Sequence, residues 1–131
     1  MSMDWKDKRP NRSRNLFESF FYAFSGIFSA VKKERNLQIH LISALFIIFL
    51  GWFLSLTWIE WLFISFAIGG MVALELVNTA IERVVDLATA DLHPLAKQAK
   101  DIAAGAVFIY AILAIIVGSV IFIPKLSHYF W

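Results

Sequence analysis

Glu75, Asn78, Glu82 and Asp86 follow one another at steps of three, four and four residues, inside and just beyond an apolar stretch. At about 100° per residue these steps hold all four side chains within roughly an 80° arc of one helix face. A carboxylate in or near hydrocarbon costs about 2.5–3.5 kcal/mol on insertion scales, so an acid stripe there calls for a partner: a metal ion, a proton path or another helix. The chain has no cysteine, and His40, His93 and His128 are too scattered to make a zinc site. A metal on this stripe must therefore be held by oxygen. Glu34 and Glu82, both placed at a membrane boundary, suit a shared Mg²⁺, an ion usually completed by water and nucleotide phosphates rather than by a full protein cage. Phosphoryl transfer needs such a metal, a cation near the transferring group and a base for the attacking hydroxyl. Glu75 and Lys100 offer the base and the cation. There is no G-x-x-x-x-G-K-[ST] loop, so an ATP site here would have another architecture.

These groups must be positioned by membrane helices. Sixty per cent of the 131 residues are hydrophobic, mean hydropathy is +0.69 and the apolar runs approach twenty residues, which excludes an ordinary water-soluble domain. The pattern predicts an all-α membrane protein, a single domain over residues 1–131. From Ser13, a plausible N-cap, to Lys33, the large apolar residues occupy about 140° of a helix, as in a segment lying in the membrane surface. Ser19, Ala23, Gly26 and Ala30 form a strip of small residues on it, bordered by Tyr22 and Lys33. Three spans follow, at about 37–56, 58–76 and 102–123, the second continuing as helix to about 88 and the third ending before Pro124. The N-terminus is charged and its first apolar segment is amphipathic, so no cleavable signal is expected and the mature chain is expected to be the whole chain.

Eight Lys and Arg precede Leu37, none lies between the first two spans, three lie from Arg83 to Lys100, and Lys125 follows the last span. The positive-inside rule then places the N-terminus and the second connection in the cytoplasm. The net charge of +2 thus reports topology rather than nucleic-acid binding. Glu75, seventeen residues beyond Trp58, falls roughly 25 Å below the outer surface at about 1.5 Å per residue, near the inner headgroups. Glu82 and Asp86 continue into the cytoplasm. One helix would offer a carboxylate at the depth of a lipid's polar end and others at the depth of soluble metabolites. A proton or cation pathway is the non-enzyme alternative, but the first half of the second span supplies only Glu60 and Ser65 before Glu75.

The sequence resembles the bacterial integral-membrane diacylglycerol kinase and undecaprenol kinase family. The likeness lies in Glu34-Arg35-Asn36 with Gln38 and His40, in Gly69-Gly70-Met71, in the Glu-x-x-Asn-x-x-x-Glu-x-x-x-Asp core from Glu75 to Asp86, and in His93-Pro94-Leu95-Ala96-Lys97 with Ala99-Lys100-Asp101. It covers roughly Arg14 to Leu126 and is most like the Gram-positive branch. The resemblance implies an ATP- and Mg²⁺-dependent kinase of undecaprenol, with diacylglycerol as the alternative lipid. It implies that Glu75 accepts the proton of the lipid hydroxyl, that Glu34 and Glu82 bind Mg²⁺ and that Asn78 positions the reacting groups. Nucleotide contacts are implied for Tyr22, Asp86, Asp91, His93, Lys100 and Asp101, alongside Glu34 and Glu82. A family arginine near the start of the surface helix falls at Asn15, with Arg14 beside it. The resemblance further implies a homotrimer in the cytoplasmic (inner) membrane, with sites shared between subunits and facing the cytoplasm.

Overall fold

Thr57 and Pro94 set where the two longest helices begin. The Thr57 hydroxyl accepts a hydrogen bond from the Glu60 N–H at 3.3 Å, and the Glu60 carboxylate accepts one from the Thr57 N–H at 2.7 Å. This reciprocal box satisfies two donors that a helix start otherwise leaves open. Pro94 occupies the first turn, where its missing N–H costs nothing, and His93 Nδ1 accepts from the Leu95 N–H at 3.1 Å. The computed structural model describes residues 15–131 and contains four helices: α1 Leu16–Lys33, α2 Arg35–Phe53, α3 Trp58–Ala88 and α4 Pro94–Phe130. Ser13 and Arg14 lie outside the described residues. Asn15 takes the N-cap position of α1, without a side-chain cap bond.

Three of the helices, α2, α3 and α4, are long and apolar enough to cross a membrane, and the chain is an integral membrane protein. At about 1.5 Å per residue α3 is roughly 46 Å long and α4 roughly 55 Å, against a hydrocarbon core of about 30 Å. Both therefore project beyond the core. α3 carries Glu82, Arg83 and Asp86 at its C-terminal end, and α4 carries Lys97, Lys100 and Asp101 at its N-terminal end. These two charged ends lie together.

A single residue separates α1 from α2. Glu34 adopts an extended backbone (φ −98°, ψ 109°), which breaks the helix for one position. The Gln38 side-chain amide donates to the Val31 carbonyl at 2.8 Å, capping one of the carbonyls that the end of α1 leaves unpaired. Leu37, fully buried, and Ala30, also buried, pin the corner. Ala30 is the one member of the small-residue strip that the chain itself covers; Ser19, Ala23 and Gly26 are exposed.

The antiparallel pair α3 and α4 makes the main body. Phe66, in the first third of α3, offers its carbonyl to the Tyr110 hydroxyl, and Lys125 pairs with Glu60 at 3.1 Å nearer the start of α3. Leu56, Ile64, Ile121 and Phe122 form the buried cluster, with Leu50 of α2 and Trp61 packed against it. The α2–α3 turn presses on Gly51, where an added Cβ would meet Trp61 and Leu56. It passes through Ser55 at φ 52°.

Pro124 does not end α4 as its sequence context suggests; the helix runs through it to Phe130. Proline removes one N–H and crowds the carbonyl four residues earlier. Here Ile121 and Phe122 before it are buried and Leu126 after it packs on the same cluster, so side-chain packing holds the turns on both sides of it. Membrane helices tolerate such interruptions.

A Cβ at Gly70 would occupy the place of the Tyr110 hydroxyl. Gly70→Ala should destabilise the fold by about 1–3 kcal/mol, as overpacking does. Because the displaced ring must also release the Phe66 carbonyl, Tyr110→Phe should add less in the Gly70→Ala background than in the parent. Additive losses in a thermal-denaturation double-mutant cycle would count against this packing.

Candidate active site

On α3, Met71, Glu75 and Thr79 are buried, Asn78 and Glu82 are half-buried, and Asp86 is exposed. The acid stripe thus grades from sealed to solvated along one uninterrupted helix. Glu75 is 5% exposed. His40 on α2 reaches it across the helix interface, with Nε2 at 3.2 Å from Oε1. Three residues beyond Glu75, the Asn78 side-chain amide donates to Glu82 Oε1 at 3.3 Å. That bond leaves Asn78 Oδ1 buried and without a hydrogen-bond partner, a state that costs about 1–3 kcal/mol.

Glu34 projects from the one-residue break between α1 and α2, and its Oε1 accepts from Arg83 Nη2 at 3.2 Å. This bond ties the corner to the same turn of α3 that carries Glu82. Beyond it, Lys100 Nζ meets Asp86 Oδ1 at 2.6 Å, and Lys97 pairs with Asp101 one turn further along α4. Asp86, Asp91, His93, Lys97 and Lys100 line one cavity of about 750 Å³ at the α3–α4 connection, a volume in the range that holds small-molecule ligands. Thr89 shapes this wall by accepting the Asp91 N–H at 3.2 Å. A narrower apolar groove of about 140 Å³ runs between α2, α3 and α4, with His40 and Ser43 among its lining residues and small side chains at Ala44, Ala67, Ala114 and Gly118.

The described residues hold no group of three or more His, Cys, Asp or Glu close enough to take a metal ion by themselves. Mg²⁺ fits on narrower terms. The available donors near Glu82 are oxygens, including the unpaired Asn78 Oδ1, and this ion is commonly held by one or two carboxylates with the rest supplied by phosphate and water. Glu34 and Glu82 are the carboxylates that would hold it.

The structure therefore brings Asn78 to Glu82, Asp86 to Lys100, and Asp91 and His93 to the wall of the cavity that both share. Asp101 faces Lys97. Tyr22 lies on α1, about three turns before Glu34, exposed and edge-on to Phe21. Glu60 is taken up by the α3 cap and by Lys125. Two contacts escaped sequence reasoning. Arg83 is the one basic residue of α3, a signal that it has a particular partner, but nothing in its spacing points to Glu34. His40 was visible as a polar residue opening an apolar span, without an indication that it meets Glu75.

Lys100 and Asp86 are both well exposed, so their pairing should matter little for folding. A double-mutant cycle of Asp86→Ala and Lys100→Ala on unfolding should give a coupling of about 0.2–1 kcal/mol. A coupling several-fold larger would make the pair a structural clamp rather than the edge of a ligand site.

Residues 21–122 match the family model for prokaryotic diacylglycerol kinase. The chain is 49% identical over 124 residues to the undecaprenol kinase of Bacillus subtilis (strain 168), covering 95% of this chain and 100% of that one. It is 42% identical over 113 residues to a diacylglycerol kinase of Synechocystis, covering 86% of this chain and 65% of the relative. A diacylglycerol kinase of Helicobacter pylori (strain J99) is 37% identical over 93 residues, 71% of this chain and 73% of the relative.

Proposed function

We propose that this chain, which belongs to the prokaryotic diacylglycerol kinase family and is a lipid kinase, transfers the γ-phosphate of ATP to undecaprenol. The observation that carries the mechanism is the buried Glu75 carboxylate at the head of a stripe that ends on an open, polar cavity. Undecaprenol is favoured over diacylglycerol by the full-length likeness to an undecaprenol kinase at 49% identity, above the 42% and 37% shared with two diacylglycerol kinases.

The lipid hydroxyl meets Glu75 at the end of the apolar groove, where a hydrocarbon chain can lie against Ala44, Ala67 and Met71. Glu75 takes the hydroxyl proton as the oxygen bonds to the γ-phosphorus and the bond to the ADP oxygen breaks. Asn78, one turn along the stripe, positions the reacting groups and orients Glu82. Mg²⁺ held by Glu34 and Glu82 would neutralise phosphate charge at the transferring group. Lys100 and Asp101, with Asp86, Asp91 and His93 around the cavity and Tyr22 on α1, contact the nucleotide. To bind phosphate, Lys100 loosens from Asp86 and Arg83 from Glu34, and exposed ion pairs of this kind are weak enough to exchange.

The site opens to the cytoplasm of a cell whose inner membrane holds the chain, as the distribution of basic residues supports. The lipid kinase works as a homotrimer. Large apolar residues stand exposed along α2, α3 and α4, and a neighbouring subunit can both cover part of this surface and close the ATP cavity.

In lipid vesicles with labelled ATP, purified protein offered undecaprenol and diacylglycerol together should label undecaprenol preferentially. Glu75→Gln should lower turnover by at least about 10²–10⁴-fold while nucleotide binding persists. Preferential labelling of diacylglycerol would replace the substrate but leave the kinase; parent-like turnover in Glu75→Gln would remove the base.

Glu34→Gln and Glu82→Gln should each raise the Mg²⁺ concentration for half-maximal activity by about ten-fold or more, since even outer-shell changes cost that much at metal sites. Mg²⁺ titrations that overlay the parent in both variants would cancel the ligand assignment.

A further inference from the structure

His40 and Glu75 are thirty-five residues apart in the chain, yet their side chains meet at 3.2 Å. The carboxylate is almost wholly sealed, with 6% of its side chain exposed, whereas the imidazole keeps 31%. The pair buries the acid and leaves the histidine on the lining of the apolar groove.

The base role decides which of the two groups carries the proton. A carboxylate that is to accept the substrate's proton is ionised and only accepts, so in that state it is the imidazole Nε2–H that faces Glu75 Oε1 at 3.2 Å. With Oε1 engaged, the carboxylate can no longer turn freely about its terminal bond. Oε2 is left as the acceptor for a substrate hydroxyl. Reaction requires the base within about 2.6–3.2 Å of the proton it takes, and a misplacement of about 1 Å can cost about 100-fold.

We infer that His40 is a positioning residue of the kinase: its imidazole holds one oxygen of Glu75 and thereby presents the other to the lipid alcohol. The inference rests on the reading of Glu75 as the base. His40 is not itself the base, because its Nε2 proton is committed to the carboxylate. Among the described residues that line the groove, His40 is the one paired with Glu75.

The test compares two variants of similar bulk, His40→Gln, which keeps an N–H donor, and His40→Leu, which does not. Both are measured in lipid vesicles with labelled ATP and undecaprenol, and with diacylglycerol in a parallel arm. His40→Leu should lower kcat by about 10–100-fold while KM for ATP stays within about two-fold of the parent, as expected for loss of an interaction that matters only at the reacting atoms. His40→Gln should recover a large part of that loss. In His40→Ala, added imidazole should restore turnover, and it should do nothing for Glu75→Gln. Equal turnover in the Gln and Leu variants, whether both parent-like or both inactive, overturns the positioning role. Glu75→Gln run beside them separates the two readings: if it stays active the base is wrong, whereas if it is dead and His40→Leu is parent-like, His40 alone is wrong.

Discussion

The contact between His40 and Glu75 joins α2 to α3 at the level where apolar groove gives way to acid stripe. A carboxylate this well sealed is expensive in or near hydrocarbon, and the polar group that meets it, at 3.2 Å, comes from another helix. That requirement reaches outward. α2 must enter at a fixed height, which the one-residue break at Glu34, the Gln38 cap on α1 and the buried Leu37 together impose. α3 must keep its rotation over 31 residues, since a slip of one residue would turn Glu75 by about 100°.

What fixes the rotation of α3 is its pairing with α4. Glu60 with Lys125, Phe66 with Tyr110 and Asp86 with Lys100 mark three heights along the same antiparallel seam. They are unequal in consequence. The two ion pairs sit at exposed or half-exposed ends, where such pairs contribute about 0–1 kcal/mol. The middle contact is different, because Tyr110 packs into the space that Gly70 leaves by having no side chain. Rigidity is thus concentrated in the interior of the seam, and exchangeable charge at the end that carries the cavity.

Much of this was legible in the sequence for reasons of periodicity. Helical spacing alone placed Glu75, Asn78, Glu82 and Asp86 on one face, and the burial gradient follows that face. Thr57 with Glu60, and Pro94 after His93, are start signals whose partners lie within three residues, so local sequence is enough to read them. Signals that depend on other segments were not readable. Pro124 suggested a helix end, but Ile121, Phe122 and Leu126 pack across it. The links from His40 to Glu75 and from Arg83 to Glu34 cross 35 and 49 residues, and single-chain periodicity carries no information about which faces meet.

The two ends of α3 also separate transfer chemistry from conduction. A proton or cation path needs exchangeable groups on both sides of the dry middle. At the N-terminal end of α3 Glu60 is bound by the Thr57 backbone and by Lys125, and Ser65, the next polar side chain along α3, is exposed away from the buried line of Ile64, Met71 and Glu75. Polar groups therefore thicken in one direction only, from Glu75 through Asn78 and Glu82 to the cavity at Asp86 and Lys100. A group entering from that side meets progressively less water and ends against a single carboxylate. Such a one-sided gradient suits a reaction that brings a charged donor from solution to an alcohol at the membrane boundary and returns the charged product the same way.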